Sequence, residues 1–153
     1  MKCHCGNEWN TTSYDNFIHK TGGCPKCGLG EANCIVGDID PILGEDIYME
    51  KRFDDCRDKN PLPFDRFVPY LNMLLEYDGK QHFDESNGWY SEDGVKRDKI
   101  KTEYAIKNGY NFIRIAYYED HVKALESFLT LVLKHQDKQI VQIYGEVQIL
   151  DKK

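Results

Sequence analysis

Four side chains in the middle of the chain carry the chemistry: Asp65, Glu76, Asp78 and His82. Glu76 and Asp78 sit two residues apart in Leu75-Glu76-Tyr77-Asp78-Gly79, a run that reads as a strand ending in a glycine turn. Alternation puts both carboxylates on one face, with Leu75 and Tyr77 on the other. Upstream, Pro63-Phe64-Asp65-Arg66-Phe67-Val68 reads as a second strand, and Pro69-Tyr70-Leu71-Asn72 as the loop of a hairpin. If Val68 and Met73 close that loop, antiparallel counting sets Asp65 opposite Glu76. Two carboxylates about 4 Å apart repel by about 4 kcal/mol at an effective dielectric of 20. A divalent cation removes the conflict, and an all-oxygen set suits Mg²⁺, Mn²⁺ or Ca²⁺, with Mg²⁺ or Mn²⁺ as the catalytic ion. Taken singly, each acid reads as solvated surface with Lys80 or Arg66 as its partner. The set on one hairpin reads as a site.

A second group of metal-binding type lies at the amino end. Cys3-His4-Cys5 and Cys24-Pro25-Lys26-Cys27-Gly28 have the pairing of a zinc ribbon, with Cys3, Cys5, Cys24 and Cys27 as ligands to a structural Zn²⁺. The first pair is closer than the usual spacing, so His4 is an alternative ligand. Trp9, Tyr14 and Phe17 supply a mini-core that needs the metal to hold. Cys34 and Cys56 stand alone and read as ordinary buried cysteines.

The elements that must position these residues follow from size and pattern. The 153 residues fit one domain with a small appendage, expected as a ribbon at 1–28, an α/β core at 29–135 and a β-prone tail at 136–153. A net charge of -6 argues against strong non-specific binding to nucleic acid, although residues 96–107 hold five bases and two acids. No apolar run has the length of a membrane span and no signal pattern is visible, so a cytoplasmic protein with no membrane partner is expected.

A helix from Glu31 to Leu43 is interrupted by Gly37 and Pro41. Ile47 to Phe53 alternates as a strand, and Asp54 to Pro61 is turn-rich. After the hairpin comes a polar loop with Trp89 and Tyr90. A helix from about Val95 to Lys107 follows, with Asp93 as N-cap and Asn108-Gly109 as stop. Asp98 and Lys101 share one face of it. Asn111 to Tyr117 reads as a strand, Glu119 to His135 as an amphipathic helix with His121 and His135 solvated, and Gln139 to Leu150 as an added edge strand. The fold class expected is a mixed α+β sheet flanked by helices.

Phe64-Asp65, Glu76-x-Asp78-Gly79-x-x-His82, Arg97-Asp98-x-x-Lys101 and Phe112-Ile113-Arg114-Ile115 together resemble the restriction-endonuclease-like superfamily. The resemblance is nearest to its very-short-patch-repair-like branch, with the phage homing-type members and their acid–acid–His–acid motif. It covers roughly residues 1–117, and the cysteine ribbon before Gly30-Glu31 looks like the version carried by phage and giant-virus reading frames. It implies metal-dependent hydrolysis of a DNA phosphodiester, in a bacterial host cell if the chain is phage-encoded. Asp65 then matches the first metal-binding acid, and Glu76 and Asp78 the acids of the second strand. His82 with Asp98 matches the pair that serves as general base. Glu31 matches an acid of the amino-terminal helix. Lys80 lies two residues beyond Asp78, as the superfamily lysine does, but past Gly79. Either Lys80 or His82 would activate the water.

The chemistry agrees with that implication. A phosphodiester needs a positioned water, a base and charge to stabilise the developing oxyanion. Histidine titrates near neutrality, and Asp98 would fix its tautomer. Lys96, Arg97, Lys99 and Lys101 are candidates for backbone phosphates. A catalytically silent nucleic-acid-binding or host-takeover protein on the same fold and an RNA-cutting nuclease are the rival readings. A monomer or weak homodimer is expected.

Overall fold

The computed structural model describes residues 39–83 and 92–152. The cysteines expected to form a zinc ribbon, Glu31, Trp89 and Tyr90 lie outside those residues. The chain divides into two units, residues 1–45 and 46–153. In the first, the described part is one helical turn, α1 (Asp40–Leu43), with Pro41 in its first turn. Pro41 stands in the first turn, where a residue needs no N–H partner; the rest of the helix expected from Glu31, with Gly37, lies outside the described residues.

The second unit is α+β. Its order is β1 (Tyr48–Arg57), β2 (Pro61–Val68), β3 (Met73–Asp78), α2 (Glu92–Lys107), β4 (Asn111–Ala116), α3 (His121–Lys134), β5 (Lys138–Ile143) and β6 (Glu146–Asp151). The six strands form one mixed sheet in sequence order. β1, β2 and β3 run antiparallel, β3, β4 and β5 run parallel, and β5 and β6 close as an antiparallel hairpin. Every residue of β3 and β4 is buried, as befits parallel strands covered on both faces.

The two long helices cover opposite faces. On β5, Gln139 donates to the carbonyls of Ala105 and Tyr110 at the end of α2, whereas Gln142 donates to Ala124 of α3. Residues three apart on a strand face opposite ways. Phe64, Leu74, Ala105, Phe112 and Val141 form the core under α2. Leu125, Phe128 and Val132 are the buried stripe of α3, which packs on β4 and β5. No helix among the described residues is long and apolar enough to cross a membrane.

Several elements differ from the sequence expectation. β1 continues to Arg57 through a shift of register after Arg52, so most of the stretch read as turn is strand. On an edge strand polar residues are tolerated, and composition alone does not separate the two. α2 begins at Glu92, which places Asp93 inside the first turn. Its end is as expected: Gly109, at φ 77°, donates to Ile106 and Tyr110 donates to Ala105, a Schellman closure. His121 and His135 are not solvated but half-buried, the His121 ring 5.3 Å from that of Tyr77. The tail gives two strands, of which β5 is internal and only β6 lies at the edge.

Candidate functional site

The hairpin closes as counted, with Val68 opposite Met73 and Arg66 opposite Leu75. The ladder stops there, one step short of Asp65 and Glu76, and side chains take its place. The Asp65 N–H donates to Glu76 Oε1 (3.0 Å), and the Tyr77 N–H donates to Asp65 Oδ2 (2.8 Å). On the other side of β2, the position opposite Asp65 is Glu50, between the pairs Met49–Arg66 and Lys51–Phe64. Glu50 has φ 51°, a left-handed conformation within a strand. The sheet is thus distorted on both sides of Asp65.

The repulsion expected between Asp65 and Glu76 is relieved from within the chain. Lys101 reaches down from α2 and places Nζ 2.6 Å from Glu76 Oε2. The lysine beside the acids is therefore Lys101; Lys80 is exposed in the 3₁₀ turn Lys80–His82 that follows β3. Lys101 is correspondingly buried and is not part of a surface phosphate row. Of the other bases in that row, Lys96 and Arg97 pair with Asp58 (3.1 and 3.3 Å), and Lys99 lies 3.8 Å from Glu103. Burial, with Asp65 adding to it, pushes Glu76 up to about 7 against the charges of Lys101 and Arg114. Burial likewise raises Asp65.

Asp78 leaves the same face of β3 two residues on and meets Arg114 of β4. Nε donates to Oδ2 at 2.7 Å and Nη2 to Oδ1 at 2.9 Å, a bidentate pair. The Tyr144 hydroxyl donates to the same Oδ2 at 2.5 Å. Tyr144 arrives from the turn between β5 and β6, where it has φ 51° ahead of Gly145 at φ 85°. Arg114 also reaches the carbonyl of Asp98 (3.2 Å), Thr102 Oγ1 (3.0 Å) and Asp98 Oδ1 (3.1 Å). Burial opposes its charge, but Asp78 more than compensates and raises its pKa.

The 3₁₀ turn then brings His82 back over the strand end, closed by its N–H donating to the Gly79 carbonyl at 3.0 Å. His82 Nδ1 lies 2.9 Å from Asp98 Oδ2 and 3.7 Å from Asp78 Oδ1. Asp98 belongs to the second turn of α2, because the helix starts earlier than expected. The imidazole and this carboxylate each keep 30 % of their side-chain surface exposed, whereas Asp78 keeps 1 %. The Asp98 hydrogen bond raises the His82 pKa, against the opposing effect of burial. Burial works against ionisation of Asp98, yet the His82 hydrogen bond and the Arg114 charge hold its carboxyl below the ordinary value.

Among the described residues, the group of three donors drawn within 4.8 Å of one another is Asp78, His82 and Asp98, not Asp65, Glu76 and Asp78. Asp78 is common to both sets. Four carboxylates, Asp65, Glu76, Asp78 and Asp98, face three permanent cations: Lys101, Arg114 and, beside Asp65, the buried Arg66. The oxygens of Asp78 and Asp98 already meet Arg114, Tyr144 or His82, so a divalent ion fits here only by displacing one of these partners, with Asp98, 30 % exposed, the more open of the two.

Sequence reasoning gave no role to Arg114 or Tyr144. Arg114 had a signal: an arginine inside the apolar run Asn111-Phe112-Ile113-Arg114-Ile115-Ala116 must be buried and therefore needs carboxylates. Tyr144 had none, since its contact spans 66 positions. The whole group gathers at the carboxyl ends of the parallel strands β3 and β4, where open α/β sheets bind ligands.

Comparison with known proteins found no matching family model, curated protein or solved structure.

Proposed function

We propose that the chain is a metal-dependent phosphodiesterase that cuts DNA, on a restriction-endonuclease-like core with an amino-terminal zinc ribbon. The observation that carries this reading is the His82–Asp98 pair: a half-exposed imidazole, oriented through Nδ1 at 2.9 Å, beside a row of buried carboxylates. Its Nε2 is the atom that would take the proton from an attacking water. Asp98 keeps that tautomer and stabilises the imidazolium that forms. Arg114 aligns Asp78 and Asp98, and its charge helps hold the Asp98 carboxyl below the ordinary value. Asp78 would hold a divalent cation, Mg²⁺ or Mn²⁺, only by releasing Arg114 or Tyr144, which donate to both its oxygens; the ion would supply positive charge for the phosphate oxygens. The choice of DNA rests on the family resemblance.

Cleavage of a supercoiled plasmid with Mg²⁺ or Mn²⁺, beside a gel shift in Ca²⁺, tests the proposal. Nicked or linear product that disappears in His82→Ala supports it. Binding without cleavage would instead favour a catalytically silent nucleic-acid-binding protein. One observation favours that second reading: the Lys101 ammonium already neutralises Glu76. A labelled RNA in the same assay distinguishes an RNA-cutting enzyme.

A further inference from the structure

The two outer strands of the sheet are built differently. β1 has the features that discourage pairing at an edge: a left-handed residue at Glu50, a shift of register after Arg52, and charges at Lys51, Arg52, Asp54, Asp55 and Arg57. β6 has neither a left-handed residue nor a shift of register, and no charge between its two ends. Its six residues pair with β5 without a break from Ile143–Glu146 to Lys138–Asp151, with no proline and with charge only at the two ends. Val147 and Ile149 are 43 % and 46 % exposed.

The direction of the backbone groups on β6 follows from its neighbours. Tyr144 donates its N–H to the Arg114 carbonyl, and Ile140 donates to Asn111 Oδ1, so the even residues of β5 turn toward β4. Gln139, Val141 and Ile143 therefore turn toward β6, where they face Leu150, Gln148 and Glu146. By alternation, Val147, Ile149 and Asp151 aim their N–H and C=O groups outward. The outward backbone and the exposed apolar side chains thus belong to the same two residues.

We propose that β6 pairs with β6 of a second copy of this chain, antiparallel and centred on Gln148. That register is self-complementary. Val147 of each copy bonds to Ile149 of the other, which covers both apolar side chains on the α3 face. Gln148 meets its own copy across a non-hydrogen-bonded position, and Glu146 lies diagonal to Lys152, so no like charges are opposed. The twofold axis reverses strand direction, so the carboxyl ends of β3 and β4 in the two copies point opposite ways. The two candidate sites then act separately. The association stands whether or not that site hydrolyses a phosphodiester.

Sedimentation velocity of the full chain across a range of micromolar concentrations should show a species of twice 17.9 kDa growing with concentration. Val147→Lys and Ile149→Lys, each at an exposed position, should abolish it. Register is tested by cysteine pairing: Gln148→Cys should give a reducible covalent dimer above the wild-type level. Cα atoms at such a position are about 4.5 Å apart, within disulfide range. Leu150→Cys, opposite Glu146, should not. A monomer at every concentration, a dimer indifferent to the lysine variants, or equal crosslinking by Gln148→Cys and Leu150→Cys would overturn the proposal.

Discussion

Lys101 Nζ lies 2.6 Å from Glu76 Oε2, with both groups buried beneath α2. This contact turns a row of mutually repelling acids into a stable part of the core. Removing one partner of a buried pair leaves the other uncompensated, typically at a cost of about 3–5 kcal/mol. Lys101→Met should therefore destabilise the metal-free protein strongly at pH 7.5, and Lys101→Met/Glu76→Gln should recover much of the loss. Urea unfolding of both variants in EDTA is the measurement; a double variant no better than the single one would contradict it.

Glu76 also makes stability depend on pH, because burial and the neighbouring Asp65 favour its protonated form against the pull of Lys101. Glu76 is raised to about 7 in the fold, above the ordinary 4.5. Between those values the folded state binds more protons than the unfolded state, so stability falls as pH rises. The contribution is fully present below about pH 4.5 and is lost as pH passes 7. Compared with Glu76→Gln, the wild type should lose on the order of 3 kcal/mol at most across that window. Parallel denaturation curves for the two proteins at pH 5 and pH 7.5 read the difference directly, and a constant difference would exclude it.

Arg114 gives Asp78 a bidentate partner and Asp98 an anchor. Lysine supplies one charge but not the planar fork. Arg114→Lys and Arg114→Met should both lower stability, by about 3–5 kcal/mol for the methionine. Arg114→Lys should also move the His82 imidazole resonances, because Asp98 loses its alignment. Unchanged His82 shifts in a folded Arg114→Lys protein would separate the two residues.

His82 carries the proposed proton transfer. His82→Ala should lose about 10²–10⁴ in single-turnover rate with binding in Ca²⁺ nearly unchanged. Asp98→Asn should lose less, and the two losses should not multiply, because both act on one transfer. The raised pKa predicts that the imidazole titrates above its usual 6.5 and that Asp98→Asn lowers it. An NMR titration checks this apart from any turnover. The ion pair's contribution to stability is present below 6.5 and is lost as pH rises through the folded value.

The four paired cysteines predict one tightly bound Zn²⁺ per chain, at Zn–S about 2.3 Å. Elemental analysis of protein purified without added zinc should approach one equivalent. A content below a tenth of an equivalent would remove the ribbon.

Much of the site is local and was legible in the residues. The Val68–Met73 closure follows from loop length and alternation, and it brings Asp65 to Glu76. The His82–Asp98 contact follows once the chain returns as a helix over a parallel strand, the connection that the apolar run from Asn111 requires. The Asn108-Gly109 stop is backbone chemistry and was equally plain. The partners of the acids were not legible. Lys101 looks like any helix-face lysine, and only the docking of α2 turns it onto Glu76 rather than toward solvent. Tyr144 reaches Asp78 because β5 adds beside β4, an event set by packing between distant segments. Sequence spacing determined which acids share a face. Tertiary structure decided which cations neutralise them, because a buried charge takes its partner from whatever element packs against it.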